Sequence, residues 1–315
     1  MKLDFGKERL KIEYDWVVKN RPIILPDSYE EASERYIQDL KKIIQDKSQF
    51  KENRPTLMLS GGVDSMLLGG VLNKYFDFKD SITIGCVKDT DDIKVSQDTA
   101  EKLNINNKLI YCTWDEVIDN LNLIQGKPIK TVFDVVYYLT FFICLQKTNV
   151  KEIDLIQGDG ADTLLGSHNT YPYMDRDRVA HRYNISKSEA KTRCKQLYYM
   201  NSTDPNKSFH KGSGHLFEIV AKELGANAVM AYKDDRIRWV NDLHYDFARP
   251  DKKTFPKKVI EYMGYNSDKV KRTVMQDGVG IYDKMKEHVC QITGKTHFNS
   301  AVKVLVNKGN GVLEI

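Results

Sequence analysis

The sequence predicts an α/β fold: a mostly parallel sheet that carries the ligand loops, with a helical C-terminal region packed onto it. Three observations predict this. Short apolar runs alternate with stretches of helical period between residues 54 and 170. Two of those runs end in turns rich in glycine and acidic residues, at strand C-termini, where open parallel sheets place their ligands. Beyond about Ser167 the strand signals fade and the remainder reads as polar and helical.

The elements follow in order. Residues 1–53 form a polar lead-in with one helix, because Tyr36, Ile37, Leu40, Ile43 and Ile44 share one helical face. Residues 56–59 are a short apolar strand, and residues 66–75 a helix whose face carries Leu67, Leu68, Val71, Leu72 and Tyr75. A second strand is expected over 81–87, a helix over 94–103 and a third strand over 108–111. Further helices are expected over 113–121 and 130–146, and a fourth strand over 153–156. Residues 54–170 form the sheet domain. Residues 171–315 form the helical region, with helices over 187–199, 215–224 and 254–262 and a small strand or tail over 301–315.

Composition excludes several function classes. Lys and Arg number 48 against 44 Asp and Glu, a net charge of +4, too small an excess for a dedicated nucleic-acid binder. The N-terminus is charged throughout and lacks the apolar core of a signal peptide. The longest apolar run, Val132 to Leu145, is interrupted by Asp134 and falls short of the ~20 residues that span a bilayer. It reads as a buried helix. The five cysteines are odd in number and never form a C-x-x-C pair, so reduced thiols in a cytoplasmic protein are expected. The seven histidines show no metal-binding spacing.

The strongest local signal is Ser60-Gly61-Gly62-Val63-Asp64-Ser65, set between an apolar strand and a helix. Glycines let backbone N–H groups approach phosphate oxygens, and the hydroxyls of Ser60 and Ser65 and the helix N-terminus add donors. Asp64 would repel bare phosphate, so its presence argues for a bridging Mg²⁺. The only Gly-Lys-Thr, Gly294-Lys295-Thr296, has Val289 where a Walker A loop needs its first glycine. The hexapeptide resembles the signature of the PP-loop ATP pyrophosphatases, which cleave ATP between its α and β phosphates. That resemblance implies the adenine nucleotide α-hydrolase-like fold, with ATP and Mg²⁺ as cofactors.

A second block narrows the resemblance. LIQGDGADTLLGSHNTY lies about one hundred residues after the first loop and resembles the asparagine synthetase segment LSGEGSDELFGGY. Asp162 then matches the aspartate that shares Mg²⁺ with the loop aspartate, here Asp64. Gln157 and Gly158 match positions that touch ATP, and Leu59 and Ile84 match two positions beside the nucleotide. A third block, KRTVMQDGVG from Lys271 to Gly280, is similar to RQKEQFSDGVG of the same family. The resemblance spans about residues 30–290 and is specific in these three blocks.

What it implies is an ATP-dependent, AMP- and pyrophosphate-forming amide ligase of the asparagine synthetase and β-lactam synthetase kind. A small-molecule carboxylate is adenylated and ammonia or an amine displaces AMP. Three departures stand out. Asp159 holds the place of a glutamate associated with amidation, Thr163 replaces a second acidic residue, and Arg272, with Lys271 beside it, aligns with the active-site lysine. With some fifty residues before the loop strand no glutaminase domain is expected, so a separate glutaminase or free ammonium is the expected nitrogen source. Two alternatives stay open: a PP-loop enzyme that modifies a nucleotide or RNA, and a nucleotide-binding partner subunit with reduced catalysis. The unpaired cysteines count against the first, and intact Asp64 and Asp162 against the second.

Overall fold

A computed structural model describes residues 23–86, 91–164, 214–248, 253–267 and 281–307, with Lys11, Asp15, Lys19 and part of 184–189. In chain order the elements are α1 (Tyr29–Lys47), β1 (Thr56–Met58), α2 (Val63–Tyr75), β2 (Asp80–Gly85), α3 (Asp91–Leu103) and β3 (Asn106–Tyr111). Then come α4 (Trp114–Asp119), α5 (Val132–Gln146), β4 (Asp154–Ile156), α6 (Ala161–Leu164), α7 (Gly214–Glu223) and β5 (Asn227–Val229). The chain continues with α8 (Tyr245–Ala248), α9 (Thr254–Tyr262), α10 (Tyr282–Thr293) and α11 (Phe298–Asn307). They fall into two compact units, each drawn from three stretches of chain. The sheet unit takes Lys47–Gln157, Ser213–Val229 and Asp268–Ile315, and the helical unit takes Met1–Asp46, Gly158–Gly212 and Met230–Ser267.

In the sheet unit five strands run parallel in the order β3-β2-β1-β4-β5. The first three strands build outward from β1 in one direction, and β4 and β5 build outward on its other side. The order therefore reverses between β1 and β4, the topological switch point where such sheets open a crevice at their carboxyl ends. β1 and β4 are buried at every residue, as strands covered on both faces must be. α5 is apolar nearly all round and buried accordingly, so the Val132–Leu145 run is an interior helix. A capping box between Thr131 and Asp134 starts it. No helix among the described residues is long and apolar enough to cross a membrane.

The start of β4 is pinned by a buried carboxylate. Asp154, 2% exposed, accepts hydrogen bonds from Gln49 N at 2.9 Å, Phe50 N at 3.1 Å and Asn227 Nδ2 at 2.5 Å. One side chain thus ties β4 to β5 and to the segment that leads into β1.

In the helical unit α1 presents Tyr36 to an aromatic cluster. Its ring lies 5.5 Å from Phe255 and 6.2 Å, edge-on, from Trp239. Trp239 donates its Nε1–H to Asp39 at 2.9 Å, and the Arg35 guanidinium covers its face at 4.1 Å. The helical spacing over 29–44 therefore buries the residues it nominates: Tyr36, Ile37, Leu40, Ile43 and Ile44 are all inaccessible.

Two sequence expectations are corrected here. Strands do not end at β4: β5 follows α7, but its three residues Asn-Ala-Val offer no apolar run to detect. The C-terminal region is not a strand or tail up to residue 307. Ala301, Val302 and Leu305 recur at helical spacing and are buried, giving α11 after a left-handed glycine cap on α10. Of the helix expected over 187–199 only Ser188 and Glu189 are described, both in helical conformation; the rest lies outside the described residues.

Candidate active site

The first loop leaves β1 at the switch point. Leu59 N donates to Ile82 O at 2.9 Å, and Thr83 Oγ1 donates to Leu59 O at 2.6 Å. Leu59 thus continues β1 along β2 before the chain turns. The turn needs glycine at Gly61, whose φ is +76° and whose missing Cβ would stand 2.6 Å from Ser96 N and from the Val95 carbonyl carbon. Loop backbone and α3 backbone are in close approach there. Gly62 is the N-cap of α2 and supplies no side-chain cap. The first amides of α2 therefore lack intrahelical acceptors, the feature by which a helix start can receive an anion.

The loop hydroxyls are held in a short chain. Ser65 Oγ donates to Gly62 O at 3.0 Å and lies 3.1 Å from Ser60 Oγ. Since the Ser65 hydrogen is committed to Gly62 O, Ser60 is the donor between the two. Ser60 is exposed and Ser65 buried, so one bond rotation turns the Ser60 O–H to a ligand while Ser65 holds the loop in shape. At Gly62 a Cβ would meet only Ser60 Oγ, at 3.5 Å. That leaves room for a phosphate oxygen beside Gly62.

Asp64 is half-buried in the first turn of α2. Among the described residues no three His, Cys, Asp or Glu side chains form a metal cluster. Asp162 belongs to the helical unit, where its backbone lies in α6. Lys271 and Arg272 lie outside the described residues.

Two further candidates flank the loop within the sheet unit. Ile84 sits near the end of β2, half-buried and paired in register with Ile110. Gln157 extends β4, its N–H donating to Val229 O at 3.2 Å. Its side chain is 8% exposed, and Nε2 donates to the Tyr137 hydroxyl at 2.6 Å. Gln157 Oε1 is buried without a hydrogen-bond acceptor role filled by any described residue, which marks it as an acceptor awaiting a donor. Tyr137 read from the sequence as core. It is core, stacked on Phe141 at 4.5 Å, and its hydroxyl also orients Gln157.

The second turn continues into the helical unit at Gly158. Gly158 and Asp159 are half-buried. Gly160 has φ +97° and accepts the first bond of α6 from Leu164 N at 2.9 Å. A Cβ on it would stand 3.2 Å from Lys233 Cγ, so the Lys233 stem packs over this glycine. Sequence reasoning missed Lys233, which sits in an unremarkable 3₁₀ turn (Ala231–Lys233) with no motif around it.

The family described as Asparagine synthase matches residues 47–263 of the chain. That match contains the first loop, Ile84 and the whole second turn. No curated protein matches. Among solved structures, an NH3-dependent NAD synthetase from Campylobacter jejuni subsp. jejuni NCTC 11168, in complex with the nitrate ion, aligns with a TM-score of 0.34 at 12% identity. The alignment covers 63% of this chain and 94% of that one.

Proposed function

Because the chain belongs to the asparagine synthase family of ATP-using amide ligases, we propose that it adenylates a small-molecule carboxylate and passes the acyl group to ammonia or an amine. The observation that carries this reading is the pairing of β1 with β4. It brings the uncapped start of α2 and the buried acceptor of Gln157 to neighbouring strand ends at the switch point of one sheet.

Each residue then has a task. Gly62 and the first amides of α2 bind the phosphates that leave as pyrophosphate, Ser60 adds a hydroxyl donor, and Ser65 holds the loop that presents them. Leu59 and Ile84 flank the nucleoside, and Gln157 and Gly158 contact it through backbone. Asp64, with Asp162 as second carboxylate, would hold Mg²⁺ on the phosphates, where its charge offsets the negative charge building on the leaving group. Arg272, or Lys271 beside it, neutralises charge on the transferring phosphoryl group. An arginine keeps its proton, so that role is electrostatic and proton transfer from the amine falls to another group, for which Asp159 is the candidate. The nitrogen donor is free ammonium or the product of a separate glutaminase, and the setting is the cytoplasm.

The test is carboxylate-dependent exchange of labelled pyrophosphate into ATP, run across a panel of amino and other small carboxylic acids. The reading expects exchange with at least one acid and a stable amide when ammonium is added. AMP formation that no carboxylate stimulates would sink it.

A further inference from the structure

A pair of thiols far apart in sequence meets at the carboxyl edge of the sheet. Gly85 and Tyr111 are register partners at the ends of β2 and β3, and Cys112 N donates to Gly85 O at 3.1 Å. Cys86 and Cys112 are therefore the next pair along the same ladder, and their sulfurs lie 3.0 Å apart. Neighbouring strands run about 4.8 Å apart, inside the Cα separation of roughly 4.4–6.8 Å that a disulfide bridges. Closing the bond needs a movement of about 1 Å between sulfurs, to the ~2.05 Å of a disulfide. Both cysteines are reduced.

The surroundings divide the labour between the two. Cys86 is half-buried, whereas Cys112 is 1% exposed, so only Cys86 meets a reagent from solution. Around Cys112 the Cys144 thiol and then the Cys86 thiol act as hydrogen-bond donors. With help from the Lys147 charge they pull its pKa down to about 4, against burial and the Glu116 carboxylate. Lys147 is held there, donating to Tyr111 O at 2.8 Å and paired with Glu116 at 2.7 Å. Thr140 Oγ1 stands 3.8 Å from Cys86 Sγ, and Cys144 Sγ lies 3.7 Å from Ile110 O. The buried partner is thus the better leaving sulfur, held beside the partner that a reagent reaches.

We infer that Cys86 and Cys112 form a reversible redox-modification site that takes small-molecule disulfides. As the Cys86 thiol gives up its proton, Cys86 Sγ attacks one sulfur of the small disulfide and breaks its S–S bond; Cys86 becomes a mixed disulfide, and the small thiolate that leaves takes up that proton. Cys112 Sγ, already beside it, attacks Cys86 Sγ and expels the second small thiolate. The two protein thiols lose two electrons and two protons, and the small disulfide gains both as two thiols. In reverse, a thiol that attacks Cys86 Sγ expels the Cys112 thiolate, and a low-pKa thiolate leaves readily. A cross-link here ties the ends of β2 and β3 together, two residues beyond Ile84.

The experiment treats the reduced full chain with glutathione disulfide, alkylates the remaining thiols and maps them by peptide mass spectrometry. The expected product links the Cys86 and Cys112 peptides, costs two alkylatable thiols and reverts with dithiothreitol. Cys112→Ser should convert it to a persistent glutathione adduct on Cys86, and Cys144→Ser should still give the Cys86–Cys112 link. Cys290, half-buried on α10, reports whether the reagent is active. Three outcomes would each overturn the inference: a persistent Cys86 adduct in the wild-type chain, a Cys112–Cys144 link in place of Cys86–Cys112, or modified Cys290 with Cys86 and Cys112 untouched. Since the wild-type map alone decides, a variant that fails to fold leaves the test intact.

Discussion

Replacing Gly61 and Gly62 one at a time by alanine separates what the first loop needs to fold from what it needs to bind. At Gly61 the new Cβ would stand 2.6 Å from two backbone atoms of α3, with φ at +76°. Left-handed backbone costs an alanine about 1–2 kcal/mol. The forced contact adds about 1–3 kcal/mol, because helix backbone cannot move aside as the end of a flexible side chain can. The sum, roughly 2–5 kcal/mol, is a large part of the 5–15 kcal/mol that holds an ordinary domain together. Gly62 differs on both counts. Its φ of −71° and ψ of 163° suit any residue, and its Cβ would meet only Ser60 Oγ at 3.5 Å. An alanine N-cap costs about 1 kcal/mol relative to glycine, yet its methyl fills the space from which a phosphate reaches the first amides of α2.

Urea unfolding and calorimetric titration with ATP, run on both variants, read the two effects apart. Gly61→Ala should lower the unfolding free energy by roughly 2–5 kcal/mol. Gly62→Ala should lower it by about 1 kcal/mol and weaken ATP binding at least tenfold, or about 1.4 kcal/mol. Wild-type ATP affinity in Gly62→Ala would remove the phosphates from the loop backbone. Wild-type stability in Gly61→Ala would show that loop and α3 do not meet as described.

Four other outcomes are expected. Asp154→Ala should destabilise the sheet unit by roughly 2–4 kcal/mol, since three donors lose a buried charged acceptor, and urea midpoints measure it. Burial lowers the pKa of His288 below its ordinary 6.5. The folded chain thus favours neutral imidazole, and its contribution is present above about pH 6.5 and lost as pH falls through the lower folded value. His288→Asn should accordingly lose less stability than wild type between pH 7.5 and 5.5. Asp64→Asn and Asp162→Asn should each suppress pyrophosphate release with the fold intact, and their losses should be strongly non-additive if both hold one ion; additive losses in the double variant would give them separate roles. Lys233→Ala should shift the unfolding free energy by about 1 kcal/mol or less while reducing turnover at saturating ATP, and unchanged turnover would leave Lys233 as packing over Gly160 alone.

What was legible in the sequence was local. The first loop carries its own conformational demands in six consecutive residues, and both flanks agree with them. α1, α5 and α9 are long enough for their apolar pattern to set their type, and 254–262 was read to the residue. What was hidden depends on pairing between distant segments. Nothing around Ile153 says that β4 lies beside β1 and not beyond β3, and that adjacency creates the switch point. β5 owes its state to hydrogen bonds with β4, through Asn227 and Asp154, more than to its own three residues. Gln157 shows the same limit within the site. Motif matching assigns its backbone, but the Tyr137 hydroxyl that orients its side chain lies twenty residues earlier, on a helix that reads only as core. Cys86 and Cys112 are separated by 26 residues and look unrelated until two strands of equal length end side by side. In each case the chemistry sits where strand order has joined residues that sequence distance keeps apart. For this chain the functional groups most in need of a structure are therefore those just past the strand ends: Leu59, Cys86, Cys112 and Gln157.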